Sequence, residues 1–242
     1  MKTKSTTFTD GALTKLTARF FSPMYADFDR QMANALLRRD AFLDRVIANE
    51  IQNVQADLDG LRLSPKANNY IAGRLKAMGG KDAPPLKQVS IAVRPSTADA
   101  LRALTTDHNL VRDALLNWIV VLLRSSDKLL DWLELPKRVN RWTASGTEDM
   151  PTSPIRAIEE TQSDPFYYLR SACMERHGCG LYALQLPTQL HGIACYLPDD
   201  QVPRTAAFEV RKAKEAEESS MLLGLDDFEA NLPPMPAKPM GA

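Results

Sequence analysis

The residues best suited to chemistry gather in one stretch of the chain. All three cysteines, Cys173, Cys179 and Cys195, and two of the three histidines, His177 and His191, fall between positions 163 and 203. Cys173 and His177 stand four apart, so on a helix they share a face, which lets one helix offer two ligands to a tetrahedral zinc ion. His191 and Cys195 repeat that spacing, and in a strand they share a side. The set Cys173, His177, His191 and Cys195 is therefore a candidate structural zinc site, although no CxxC knuckle accompanies it. The competing reading is a small core of buried thiols and hydrogen-bonded imidazoles. His177-Gly178-Cys179-Gly180 invites a nucleophilic reading too, but a reactive thiol needs a base and an orienting group, and no suitably spaced pair supplies them. No enzyme is expected.

These side chains would be positioned by a small α+β module over 163–203. Ser163 or Asp164 caps, and Pro165 starts, a helix that ends at Gly178; two strands follow, about 181–186 and 190–197, joined through Pro187-Thr188-Gln189. A linker, 136–162, precedes the module and carries Lys137, Arg138 and Arg141, either as solvated charge or as phosphate contacts. Beyond it, 204–242 reads as a charged helix and then a disordered tail rich in Pro and Met. Within that tail, Met221 to Glu229 groups apolar and acidic residues and suits docking onto a partner.

The first half contains an internal repeat. Leu37-Arg38-Arg39-Asp40-Ala41-Phe42-Leu43 matches Leu110-Val111-Arg112-Asp113-Ala114-Leu115-Leu116 at five of seven positions, with an offset of 73. Extended backwards without a gap, the same offset aligns two segments of one shape: a short alternating run, a short helix, a turn and a longer apolar helix. In the second copy Val89, Ile91 and Val93 fall on one face of a strand, with Gln88, Ser90 and Ala92 on the other. Thr97 caps a helix carrying Ala98, Leu101 and Leu104, Asn109 suits a left-handed turn, and a second helix runs from about Val111 to Arg124. In the first copy Leu16, Ala18 and Phe20 point inward while Lys15, Thr17 and Arg19 point outward. The units span 13–56 and 87–135; the 57–86 connection holds a helix that starts at Ser64-Pro65.

This strand, short helix, turn, long helix pattern resembles the ribbon-helix-helix family of DNA-binding proteins, over about a third of the chain. The resemblance implies that two units pair their strands into an antiparallel ribbon whose outward side chains read base edges in the major groove. Carried over, the readers are Lys15, Thr17 and Arg19 from one copy and Gln88, Ser90 and Ala92 from the other. The family's hydroxyl at the cap of the long helix is replaced here by Arg38 and Val111, and Asp40 and Asp113 follow where a phosphate would lie; Arg39 and Arg112 beside them offset that charge. The copies are expected to pair within one chain as a pseudo-dimer, with pairing across a homodimer as the alternative.

The fold expected is mainly α with short β: the tandem unit, the small α+β module and the tail. Its 242 residues are 44% hydrophobic and 25% charged with zero formal net charge, so any nucleic-acid site must be local. The longest apolar run, Trp118 to Leu123, is far below the roughly 20 residues that span a bilayer. With no apolar leader and an odd number of cysteines, a cytoplasmic protein with reduced thiols is expected. The expected partner is double-stranded DNA, in a repressor, plasmid-maintenance or conjugation-accessory role. The alternative is a scaffold subunit that contacts proteins through its C-terminal module or tail.

Overall fold

A computed structural model describes residues 13–78, 86–138 and 164–203. It is mainly α-helical with one two-stranded antiparallel sheet. The order is β1 (Thr14–Phe21), α1 (Ser22–Asn34), α2 (Arg39–Asp57), α3 (Pro65–Ala77), β2 (Leu86–Val93), α4 (Pro95–Asp107), α5 (Arg112–Arg124), α6 (Asp127–Trp132) and α7 (Tyr167–His177), then a 3-10 turn, Thr188–Ile193. The linker beyond Arg138, including Arg141, and the tail from 204 onward lie outside the described residues. No described helix is long and apolar enough to cross a membrane.

The period-two alternation places the strands as expected. Leu16, Ala18 and Phe20 of β1 and Val89, Ile91 and Val93 of β2 are buried. The strands pair with each other inside one chain, Leu16 opposite Ile91, Thr17 opposite Ser90 and Arg19 opposite Gln88. Each is followed by two helices, so both halves of the repeat take the same β-α-α order; α2 (19 residues) is longer than α1 (13 residues), but α5 is not the longer helix expected, for it and α4 have 13 residues each.

The turns between those helices show how closely the halves correspond. Leu36 and Asn109, one repeat apart, both adopt left-handed φ angles, 56° and 55°. Asn109 suits the conformation: its side-chain amide donates to the Leu63 carbonyl at 2.9 Å. Leu36 has no such compensation and is 91% exposed. The α4 start differs from expectation. Pro95 occupies the first turn and Arg94 is the cap, while Thr97 lies buried inside the helix. Proline suits that first turn because its missing N–H would be unpaired there anyway.

The α3 helix is part of the core and not merely a connector. Ser64 caps it by accepting from Ala67 N at 3.0 Å, and Ala67, Ile71, Arg74 and Leu75 are buried. Against it packs the 3-10 turn: a Cβ on Gly192 would lie 2.5 Å from Met78 Sδ and 3.0 Å from the Leu75 nitrogen, so only glycine lets the two backbones approach this closely. Arg74, fully buried, donates to the Thr188 carbonyl at 3.1 Å.

The described residues of 163–203 do not form the expected α+β module. They contain α7 and the 3-10 turn, and no strand. Leu181, Tyr182, Leu184 and Leu186 are buried against helices instead of a neighbouring strand, with the Trp118 indole donating to the Leu181 carbonyl at 3.1 Å. Their side chains join the same hydrophobic core as the repeat.

Candidate functional site

The outward face of the ribbon gathers six predicted residues in three opposed pairs: Lys15 with Ala92, Thr17 with Ser90, and Arg19 with Gln88. Lys15, Arg19, Gln88 and Ser90 are exposed; Thr17 and Ala92 are half-buried. Thr17 and Ser90 join their hydroxyls across the strands at 3.1 Å, a cross-strand pair at the middle of the face.

The ribbon is held from both edges by side chains of α2 and α5, and each helix grips the other copy's strand. Asp40, near the start of α2, accepts the Ala92 amide of β2 at 3.0 Å, and one turn on Asp44 accepts the Arg94 amide at 2.9 Å. The counterparts on α5 serve β1. Asp113 accepts from the Arg19 guanidinium at 3.2 Å, and Asn117 accepts the Phe21 amide at 3.2 Å while donating to the Arg19 carbonyl at 2.8 Å. Arg94 and Phe21 are themselves one repeat apart, as are Asp44 and Asn117. Edge groups of a two-stranded sheet would otherwise be left to water or to another chain.

The early aspartates, each in the first turn of its helix, thus both have partners on the opposite copy's strand. Arg39 pairs with Asp40 at 2.8 Å and Asp29 at 3.3 Å, with its guanidinium 5.8 Å from the Tyr25 ring centre. Burial is the principal cause that pushes the Tyr25 hydroxyl up to about 12. Arg112 donates to the Thr17 carbonyl at 2.8 Å and to Asp113 at 3.3 Å, leaving about half of its side chain exposed. In the linker, Lys137 pairs with Asp131 at 2.9 Å.

Sequence spacing overstated the cysteine and histidine group. Cys173 and His177 do share α7, but the His177 ring donates from Nε2 to the Leu133 carbonyl at 2.8 Å. His191 stands elsewhere with both ring nitrogens engaged: Nε2 donates to the Leu186 carbonyl at 3.1 Å, and Nδ1 accepts from the Tyr70 hydroxyl at 3.3 Å. That pattern requires the neutral ring, and burial pushes its pKa down to about 4. Among the described residues no three His, Cys, Asp or Glu side chains gather as metal ligands, so Cys173, His177, His191 and Cys195 do not fit a common zinc ion. The predicted strand that was to aim His191 and Cys195 together is the 3-10 turn and the extended chain after it.

The cysteines instead sit beside a buried polar cluster absent from the sequence reading. Burial pushes the Cys173 thiol up to about 12, with its hydrogen-bonded neighbour Cys179 also raised. Burial raises Cys195 as well. None is poised as a thiolate nucleophile at neutral pH. Next to them Glu50 accepts from the Tyr182 hydroxyl at 2.6 Å and from Arg170 at 2.8 and 3.0 Å, while Asp57 accepts the Tyr182 amide at 3.1 Å. Burial raises the pKa of Glu50 against those partners. The cluster clamps the C-terminal segment onto α2. Its sequence signal was slight: Glu50 shares a helix face with the apolar Val46, Ile47 and Val54.

Among the described surfaces, one hollow borders the ribbon. It has a volume of about 820 Å³ and lies along β1, between the end of α3, α4 and the start of α5. Leu16, Leu75 and Leu101 contribute its apolar wall, and Lys15, Arg19, Lys76, Arg102, Arg112 and Asp113 its charge. Comparison of the chain with models of protein families, with curated proteins and with solved structures finds no match, so the functional argument rests on this geometry.

Proposed function

We propose that this protein binds double-stranded DNA by laying the β1–β2 ribbon in the major groove, in the manner of the ribbon-helix-helix family, with its two copies acting as a pseudo-dimer within one chain. The observation that carries this reading is the register: Lys15 opposite Ala92, Thr17 opposite Ser90 and Arg19 opposite Gln88, all on the face turned away from the core. A two-stranded ribbon fits the major groove, where Lys and Arg donate to guanine, Gln pairs with adenine, and an Ala methyl packs on thymine. Arg39 and Arg112, at the starts of α2 and α5, flank the ribbon as phosphate contacts. The protein positions DNA and performs no chemistry, in a repressor, plasmid-maintenance or conjugation-accessory role.

The test is selection of duplexes from a random pool by the native chain and by a Lys15→Ala/Arg19→Ala/Gln88→Ala variant. The native protein should enrich a defined site, with affinity falling by orders of magnitude between roughly 50 and 200 mM salt as counterions are released. The variant should lose the enrichment while keeping its fold. No enrichment, or affinity indifferent to salt, would replace this reading with that of a protein scaffold.

A further inference from the structure

The hollow beside β1 takes its helical walls from α3 and from α4 and α5 of the second copy. One repeat earlier, Ala98, Arg102 and Thr105 of its α4 wall correspond to Tyr25, Asp29 and Met32. In the first copy the Tyr25 ring is buried beneath Arg39, and Asp29 pairs with that arginine. In the second copy a methyl group replaces the ring, a hydroxyl replaces the thioether, and a cation replaces the acid. At this place lies a groove of about 820 Å³ with an apolar wall and a rim of five cations, Lys15, Arg19, Lys76, Arg102 and Arg112, against one acid, Asp113.

We infer that this groove binds the chain's own segment Met221 to Glu229, Met-Leu-Leu-Gly-Leu-Asp-Asp-Phe-Glu. The chemistry is complementary: Leu222, Leu223, Leu225 and Phe228 match the apolar wall, while Asp226, Asp227 and Glu229 match the cations. The chain is also delivered to the right helix. The last described residues are tied to the first turn of α3, with Asp199 hydrogen-bonded to Ser64 and the Val202 carbonyl accepting from Lys66 at 3.5 Å. Lys76, on the rim, closes the same helix, ~20 Å away along its axis. The 17 residues 204–220 span about 25 Å as a helix and up to ~60 Å extended, so either form reaches. Because Lys15 and Arg19 line both the groove and the ribbon face, the docked segment competes with an anion on the ribbon. That competition rests on the DNA-binding reading; the docking does not.

Carbodiimide cross-linking of the full chain at low concentration, without DNA, tests the docking. It joins lysine amines to carboxylates in contact, and peptide mass spectrometry locates the links. Links from Lys15 or Lys76 to Asp226, Asp227 or Glu229 are expected in the monomer fraction. In an Ala98→Tyr/Arg102→Asp variant, which restores the first copy's residues and keeps both lysines, their yield should fall by roughly tenfold as attraction becomes repulsion and the wall is filled. A far-ultraviolet circular dichroism spectrum matching the native chain verifies that the variant is folded; if it is not, Asp226→Lys/Asp227→Lys with the Lys15 or Lys76 link to Glu229 as readout takes its place. Absence of these links, links confined to dimers, or links unchanged in the folded variant would overturn the inference. A negative result here leaves the duplex-selection result untouched, and the reverse holds equally.

Discussion

Asp44 on α2 accepts both the backbone amide of Arg94, at 2.9 Å, and its guanidinium, at 2.6 Å, although the two residues belong to different copies of the repeat. With Asn117 accepting the backbone amide of Phe21, each copy completes the other's strand. Neither half then has a satisfied ribbon alone.

Asn117 is the more demanding partner. Its side chain is fully buried and both accepts from Phe21 and donates to the Arg19 and Asp113 carbonyls. Asn117→Asp, which copies the residue of the first half, turns those two donor contacts into repulsions and buries a charge. It should cost about 3 kcal/mol or more, whereas Asp44→Asn, beside half-exposed Arg94, should cost about 1–2 kcal/mol. Denaturant unfolding of the two variants measures the difference, and equal losses would sink the argument.

Leu36→Gly should raise stability by about 1 kcal/mol, because an exposed leucine is held in a left-handed conformation that glycine adopts without strain. Asn109→Leu should lower it, since the bond to the Leu63 carbonyl is lost as well. A shift in the thermal midpoint in the same direction for both substitutions would contradict the account.

The buried imidazole of His191 makes stability depend on pH with a definite sign. Its folded pKa, about 4, lies below the 6.5 of an unfolded chain, so between those values the unfolded state binds more protons. Stability is full above about pH 6.5 and declines as pH falls toward 4, by roughly 3 kcal/mol in all. Glu50 has the opposite sign: its raised pKa withdraws stability as pH rises above its ordinary value of 4.5. Subtracting the unfolding free energies of a His191→Gln variant at each pH isolates the histidine. A difference that does not vary across pH 4–6.5 would refute its neutral state.

Asp113→Asn should tighten duplex binding by the proposed ribbon several-fold, about 0.5–1 kcal/mol, and steepen its salt dependence. It removes the carboxylate that neutralises Arg19 and Arg112 at the edge of the reading face. Titrations at two ionic strengths would show it; weaker binding would mean that the carboxylate chiefly orients Arg19.

The repeat was legible because its signals are local. The alternation of Val89, Ile91 and Val93, the helical spacing of Leu101 and Leu104, and the turn residue Asn109 each report their own neighbourhood. Errors arose where distant partners decide. Thr97 looks like a cap, but the amide of the true cap, Arg94, is served by Asp44, 50 positions away. Leu181 to Leu186 alternates like a strand, yet Trp118 and Asp57 take its backbone groups and leave no ladder to form. His191 and Cys195 have ligand spacing, but spacing carries no information about the Tyr70 hydroxyl that occupies the imidazole. The aspartates at the starts of α2 and α5 were visible, and their destination on the opposite copy's strand was not.

The covalent joining of β1 and β2 in one polypeptide has a consequence for what such a ribbon can recognise. A two-fold dimer receives every substitution twice, and its preferred target is accordingly a palindrome. Here Arg19 can face Gln88, and Lys15 can face Ala92, without either change being copied across an axis. Under the proposed function, a single-chain ribbon is free to favour a directional sequence, so that the bound protein would point one way along the duplex.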